Sequence, residues 1–323
     1  MANWTASNIP PQHGRTAVVT GTGGLGFECA LALARAGADV IIAGRSPAKG
    51  AIAVERIHQA TRLGTVSFEW LDLASLDSIA DFVDNLQRTR DRIDLLVNNA
   101  GVMTPPKRQT TADGFELQFG TNYLGHFALT GWLLPLLRKG HQPRVVSVSS
   151  VAARQGAIDF DDLQSVHGYK PMVAYAQSKL ACLMFAFELQ RRSDAAGWGI
   201  QSIAAHPGVS RTDLLPNGAG AWSTMGIVRR LLWFLFQPAA QGALPSLFAA
   251  TSLEAQGGAY YGPDRLSEVR GYPVVAKAPA VSLDARIAAR LWTDTERLIQ
   301  SAAAQNQKYA FGTAVFDALI HAG

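Results

Sequence analysis

Short runs of apolar and β-branched residues recur along this chain, each separated from the next by a longer stretch with helical spacing. That alternation limits the possible folds more than any other feature. Thr16–Thr20 (TAVVT), Asp39–Ala43 (DVIIA), Val66–Leu71, Leu95–Asn98, Arg144–Ser149 and Gln201–Ala205 read as buried strands. Leu25–Ala36, Ser46–Arg62, Leu76–Arg90, Gly114–Leu137 and Tyr175–Arg192 read as the helices between them. The first is closed by Gly37, and the second opens with Ser46 as cap and Pro47 at its first position. Strands alternating with helices require right-handed crossovers, and so a parallel sheet covered on both faces. The fold class is α/β: a single Rossmann-type doubly wound parallel sheet. From Asp213 onward the alternation weakens into a Gly/Pro-rich apolar region and a helical C-terminus, read as a substrate-covering extension.

Composition narrows the function classes. With 48% hydrophobic and 17% charged residues over 323, the chain can bury a core without disulfide or metal staples. Cys29 and Cys182 fall in helical patterns and read as free thiols, and no Cys/His/carboxylate cluster has metal-ligand spacing. The net charge of +4 is scattered, without the concentrated stripe that nucleic acid calls for. Neither a signal peptide nor a membrane-length apolar run is evident, so a cytoplasmic protein with no nucleic-acid or membrane partner is expected.

Thr20-Gly21-Thr22-Gly23-Gly24-Leu25-Gly26 lies at the first strand-to-helix junction. Glycines there let the backbone turn tightly and approach a pyrophosphate, which rests on the helix N-terminus. Gly21, Gly24, Leu25 and Gly26 are the candidate contacts. Ala43-Gly44-Arg45-Ser46 ends the second strand, where an NAD enzyme usually places a carboxylate for the ribose 2′-hydroxyl. Arg45, with Ser46 beside it, instead offers a guanidinium to a 2′-phosphate. NADP(H) is therefore the expected cofactor and NAD(H) the alternative; a solvated helix-start charge is the plainer reading of Arg45. Asp72 and Leu73, after the third strand, are candidates for the adenine side, and Asp72 could equally be a helix cap.

Tyr175 and Lys179 stand four residues apart, on one face of a helix. A free phenol titrates near ~10, and an ammonium held beside one favours the phenolate, which suits general acid/base work. On an exposed helix such a pair is common. Here it follows Ser149-Ser150 at a strand end and the Asn98-Asn99-Ala100-Gly101 loop.

With these residues in order, residues 14–265 resemble the short-chain dehydrogenase/reductase family. The resemblance implies that Tyr175 is the proton donor, that Lys179 is the ribose ligand that tunes it, and that Ser150 bonds the substrate oxygen. It implies further that Asn122 positions a water leading protons to Lys179, and that Asn99, Ala100 and Gly101 pass under the cofactor. Pro207, Gly208, Val209 and Thr212 would cradle the nicotinamide. The glycine loop is one residue shorter than the family's usual TGxxxGxG, and either Gly23 or Gly24 could take the middle role. The longer Ser150–Tyr175 insertion resembles the retinol-dehydrogenase-like branch, whose members act on hydrophobic carbonyls and alcohols. The light-driven protochlorophyllide reductases are set aside, since asparagine replaces their cysteine after the fourth strand. Asp159, Asp161 and Asp162 read as solvated caps, and His126, His167 and His206 as structural.

The resulting division is a polar arm at 1–13, a dinucleotide-binding catalytic domain at 14–265 with a substrate loop at 213–238, and a helical extension at 266–323. Trp222–Phe236 is too apolar for open solvent. It reads as a lid over a hydrophobic substrate, with a subunit contact or a membrane-surface helix as rivals. The tail from Ala302 carries Tyr309, Phe311, Phe316 and Leu319 at near-helical spacing, suited to docking on the domain or a neighbour. The expected function is NAD(P)-dependent hydride transfer with a hydrophobic, bulky small-molecule ketone, aldehyde or secondary alcohol, in a chain free to form a homo-oligomer. A non-catalytic, NADP-sensing scaffold protein is the rival from another class.

Overall fold

The computed structural model describes residues 3–210 and 237–305. The strands are β1 (Thr16–Thr20), β2 (Asp39–Gly44), β3 (Thr65–Trp70), β4 (Leu95–Asn98), β5 (Arg144–Val148), β6 (Gln201–Ala205), β7 (Tyr260–Arg265) and β8 (Arg270–Val275). The helices are α1 (Gly24–Arg35), α2 (Pro47–Ala60), α3 (Leu76–Thr89), α4 (Leu117–Phe119), α5 (Gly125–Leu137), α6 (Pro171–Ala196), α7 (Ala239–Gly242), α8 (Leu244–Thr251) and α9 (Ala285–Gln305). All eight strands form one sheet in the order β3-β2-β1-β4-β5-β6-β7-β8, antiparallel only between β7 and β8. The winding reverses between β1 and β4. Sheets of this kind bind ligands at the C-terminal strand ends beside such a reversal.

The strands read as continuous apolar runs because both faces are buried. Val18, Ile41, Leu96 and Val145 point into one core, with α3, α5 and α6. Ala17, Val19, Val40, Ile42, Val97 and Val146 point into the other, with α1, α2 and α8. Cys29 and Cys182 are buried and unpaired. The apolar stretch of α6 has the length and hydropathy of a membrane span, but 89% of it is buried inside the protein, so it is a core helix.

Four features depart from the sequence reading. Gly114–Leu137 is not one helix: α4 leads into a π-helical turn, Gly120–Leu124, before α5 begins. Helix α6 starts at Pro171 rather than Tyr175, with proline at its first position, and ends at the left-handed Gly197. The boundary at 265 falls in the turn between β7 and β8, so the segment from 266 opens with a strand of the same sheet. Finally, the arm at 1–13 is packed: the Trp4 ring lies 5.3 Å from Phe248, and Gln12 N–H donates to Ala36 O at 2.7 Å. Thr212, the apolar loop Trp222–Phe236 and the tail from 306 onward lie outside the described residues.

Helix α9 closes the face formed by α5 and α6. Trp292 stacks on Phe185 at 5.7 Å and meets Phe127 edge-on at 4.6 Å. Arg192 covers its other side at 4.4 Å, and its indole N–H donates to Glu296 at 2.6 Å. Next to it, the hydroxyls of Tyr123 and Thr295 pair at 2.8 Å. Trp292→Ala leaves a cavity in this aromatic cluster and is expected to cost about 3–5 kcal/mol. Urea unfolding of the two proteins checks it; a loss below about 1 kcal/mol contradicts the packing role.

Candidate active site

The turn after β1 is built for close approach. Gly24, at φ +51, opens α1, whereas Gly23 is extended at φ −136. Of the two candidates for the middle role, Gly24 is the one whose backbone lies in the left-handed region. Gly26 lies against Gly21 O and Asn99 Nδ2, where any Cβ would collide. No side chain caps α1, so its first-turn N–H groups stay available to an anion. Leu25 packs on the core beneath. An uncapped helix end behind a glycine turn fits a pyrophosphate.

At the end of β2, a Cβ on Gly44 would lie 2.9 Å from Thr22 Cγ2, leaving little room for a carboxylate side chain. Arg45 is exposed, and no carboxylate among the described residues pairs with it. Ser46 Oγ accepts from Lys49 N–H at 3.4 Å, capping α2. Asp72 Oδ1 accepts from Ala74 N–H at 3.0 Å and shapes the β3–α3 turn, beside the buried Leu73.

The hydroxyl of Thr20 organises the floor. It accepts from the N–H groups of Asn99 and Ala100, both at 2.9 Å, while Asn99 Nδ2 donates to Thr20 O at 2.7 Å. The same oxygen lies 2.9 Å from His126 Nε2, and His126 Nδ1 lies 2.8 Å from Asn122 O. A carbonyl only accepts, so Nδ1 carries the ring proton and Nε2 takes the hydroxyl's. Burial holds His126 neutral, with its pKa lowered to about 4.

Asn122 sits in the π-helical turn, a distortion often found at functional sites. Its side chain clamps one backbone unit: Oδ1 accepts from Val102 N–H at 2.8 Å, and Nδ2 donates to Val102 O at 3.0 Å. Nδ2 also donates to Ser178 Oγ at 3.0 Å. A Cβ on Gly101 would lie 2.9 Å from Asn122 Oδ1 and 3.6 Å from Lys179 Nζ, which places loop, amide and ammonium together. Lys179 Nζ donates to Val148 O at 3.0 Å, and Ser149 Oγ donates to Lys179 O at 2.7 Å, tying α6 to the end of β5. Ser150 caps the 3-10 turn Val151–Gln155 by accepting from Ala152 N–H at 3.2 Å, which leaves its own proton free. Tyr175 lies one turn before Lys179, and its phenol has no hydrogen-bond partner among the described residues.

Pro207 O accepts from Gln237 Nε2 at 2.6 Å and from Ser210 Oγ at 2.9 Å, and Ser210 pairs with Gln237 in a parallel bridge. Asp159 and Asp162 cap loop N–H groups, as their sequence context suggested. Thr20, Ser178 and Gln237 were not foreseen, and His126 was read as structural without its place in this network. For His126 a signal existed, since it stands one helical turn after Asn122.

The profile of the family described as short chain dehydrogenase matches residues 15–219. The human protein named polyprenol dehydrogenase is 43% identical over 259 residues, 78% of this chain and 78% of that one. Mouse retinol dehydrogenase 13 is 41% identical over 296 residues, 88% of this chain and 84% of that one. A crystal structure of an uncharacterized protein from Mycobacterium paratuberculosis superposes with a TM-score of 0.77 at 38% identity, covering 93% of this chain and 98% of that one.

The buried His126 makes stability depend on pH. It takes a proton near 6.5 when unfolded and near 4 when folded, so the unfolded chain binds more protons between those values. Its contribution is neutral above pH 6.5 and destabilises increasingly as pH falls toward 4, by about 3 kcal/mol. Urea titrations at pH 7 and pH 4.5 read this as a wild-type loss that His126→Gln largely escapes. Equal losses in both proteins count against the assignment.

Proposed function

This chain belongs to the short-chain dehydrogenase family, and we propose that it is an NADP(H)-dependent oxidoreductase acting on a hydrophobic, bulky alcohol or the matching ketone or aldehyde, with Tyr175 as general acid/base. The observation that carries the reading is the grouping of Asn122, Ser150, Tyr175 and Lys179 around the strand ends above the glycine turn. A nicotinamide dinucleotide held here would supply or accept the hydride. Gly21, Gly24 and Gly26, with the N-terminus of α1, would hold its pyrophosphate, and Arg45 its 2′-phosphate. Asn99, Ala100 and Gly101 would lie beneath it, with Pro207, Gly208 and Val209 against the nicotinamide.

In the reducing direction Ser150 donates its free hydrogen to the substrate oxygen, and Tyr175 delivers the proton that completes the alcohol. In the oxidising direction Tyr175 takes that proton. Lys179, fixed by Val148 O, stands one helical turn from it, with its ammonium close to the Gly101 backbone. Asn122 holds the loop at Val102 and so the cofactor floor. A sensing scaffold would need the dinucleotide groove but not these four side chains together, which favours the enzyme.

Two observations support a hydrophobic substrate. Relatives at 43% and 41% identity are named for polyprenol and retinol. At the start of α6, beside Tyr175, Met172 and Val173 stand 40% and 62% exposed, an apolar rim that a polar substrate would not need.

Initial rates with NADPH and NADH against long isoprenoid alcohols and bulky ketones test the reading. Tyr175→Phe is expected to lower kcat by about 10²–10⁴-fold while NADPH still binds. Turnover above about a tenth of wild type removes Tyr175 from the role. Arg45→Ala is expected to raise Kd for NADPH by roughly tenfold and to leave NADH nearly unchanged, the loss of one charge-assisted contact. Equal weakening of both cofactors overturns the NADP(H) preference.

A further inference from the structure

Glu268 takes no part in the steps above, yet three segments around the site meet at its carboxylate. It lies in the β7–β8 turn, where Leu266, Ser267 and Glu268 follow one another at φ +51, +54 and +67. Residues bearing a Cβ rarely occupy that region, and three in succession persist only where surrounding contacts hold them. Glu268 supplies those contacts. Its Oε2 accepts from His206 Nε2 at 2.8 Å and from Arg154 Nη2 at 2.6 Å, and its Oε1 accepts from Lys277 N–H at 3.0 Å. Arg154 also donates through Nη1 to Ser267 O at 3.2 Å.

His206 is fully buried, between β6 and Pro207. Its Nδ1 accepts from Gly208 N–H at 3.2 Å, so the ring proton sits on Nε2, aimed at Glu268. Burial keeps the imidazole below its ordinary pKa and neutral. Burial alone would raise Glu268, but the His206 hydrogen bond, Lys277 N–H and the Arg154 charge outweigh it and leave the carboxyl below its usual range. The main chain adds a second tie. Val209 N–H donates to Val269 O at 2.8 Å, and Gly208, at φ +61, sits where a Cβ would run into that oxygen. On the other side, Arg154 belongs to the 3-10 turn that Ser150 caps. Gly156, just past that turn, lies so close to α6 that a Cβ would come within 2.6 Å of Ala176 O.

We infer that Glu268 is a positioning residue: through His206 and Arg154 it locks the Pro207–Gly208–Val209 turn to the segment that carries Ser150. The nicotinamide side and the oxygen-polarising side are thereby held at one separation by a group that touches neither reactant. The effect on turnover rests on the oxidoreductase reading, and the geometry does not. Glu268 lies beyond residues 15–219, the part matched by the family profile.

The test uses the full chain with NADPH. Glu268→Ala is expected to lower kcat by about tenfold or more, since small misplacement of reacting groups costs up to ~10²-fold. Kd for NADPH, set mainly by the phosphates and adenine, should move less than about threefold. The fluorescence lifetime of bound NADPH, which reports how firmly the nicotinamide is held, should shorten. Nitrogen-15 and proton shifts at His206 Nε2–H should show loss of its carboxylate hydrogen bond. Glu268→Gln keeps an acceptor for His206 and should recover most of kcat. Arg154→Ala should cost less alone and nothing further in the Glu268→Ala background. Wild-type kcat, lifetime and His206 Nε2–H shifts in Glu268→Ala overturn the proposal, as does strict additivity with Arg154→Ala. If Glu268→Ala does not fold, Glu268→Gln and Arg154→Ala carry the same readouts. A wild-type protein that oxidises no alcohol and reduces no carbonyl sinks the oxidoreductase reading, and lifetime and the His206 Nε2–H shifts then decide the network by themselves.

Discussion

The hydroxyl of Thr20 is the contact on which the rest of the site depends. It stands at the end of the central strand and faces three acceptor or donor demands at once. Two are the N–H groups of Asn99 and Ala100, and the third is the lone pair of His126 Nε2. Val97 O, at 3.3 Å, is the weaker alternative for the single hydroxyl proton. Because His126 must donate to Asn122 O, its tautomer is set, and the direction of every bond in the chain follows. The glycine turn, the Asn99–Ala100 backbone and the π-helical turn thus share one buried oxygen. Buried networks of this kind stabilise only when fully satisfied, so a change at any member reaches all of them.

The pattern of the outer residues carried much of this into the sequence. Leu95–Asn98 and Gln201–Ala205 could be bounded to the residue, because a strand buried on both faces shows as an apolar block cut off by polar or turn residues. Ser46 and Pro47 likewise announce α2. The hairpin β7–β8 was hidden. Gly262, Pro263, Gly271 and Pro273 read as turn residues, but β6 pairs only with Tyr260 and Tyr261, and β8 is an edge, where proline removes no needed donor. The π-helical turn was hidden for another reason: one additional residue in a turn alters no local preference enough to be seen in Gly114–Leu137.

Within the site, residues in contiguous motifs were legible and the tertiary links between motifs were not. Tyr175 and Lys179 are legible because their spacing is a helix turn. The clamp of Asn122 on Val102 joins residues twenty apart, and that of Glu268 on His206 joins residues sixty-two apart. Only the fold supplies such pairs. Of the three histidines read as structural, His126 is a buried, neutral ring inside the network, His206 stands between a backbone turn and a carboxylate, and His167 lies exposed beside Asp162.

The bridge between Ser210 and Gln237 has a wider consequence. Gln237 is anchored at both ends of its amide, through Pro207 O and Gly271 N–H, and none of these contacts uses a residue from the interval it closes. Closure entropy changes only slowly with loop length once the ends are fixed. The bridge therefore works as a socket: segments of different length and composition can be plugged in between 210 and 237 without disturbing the framework.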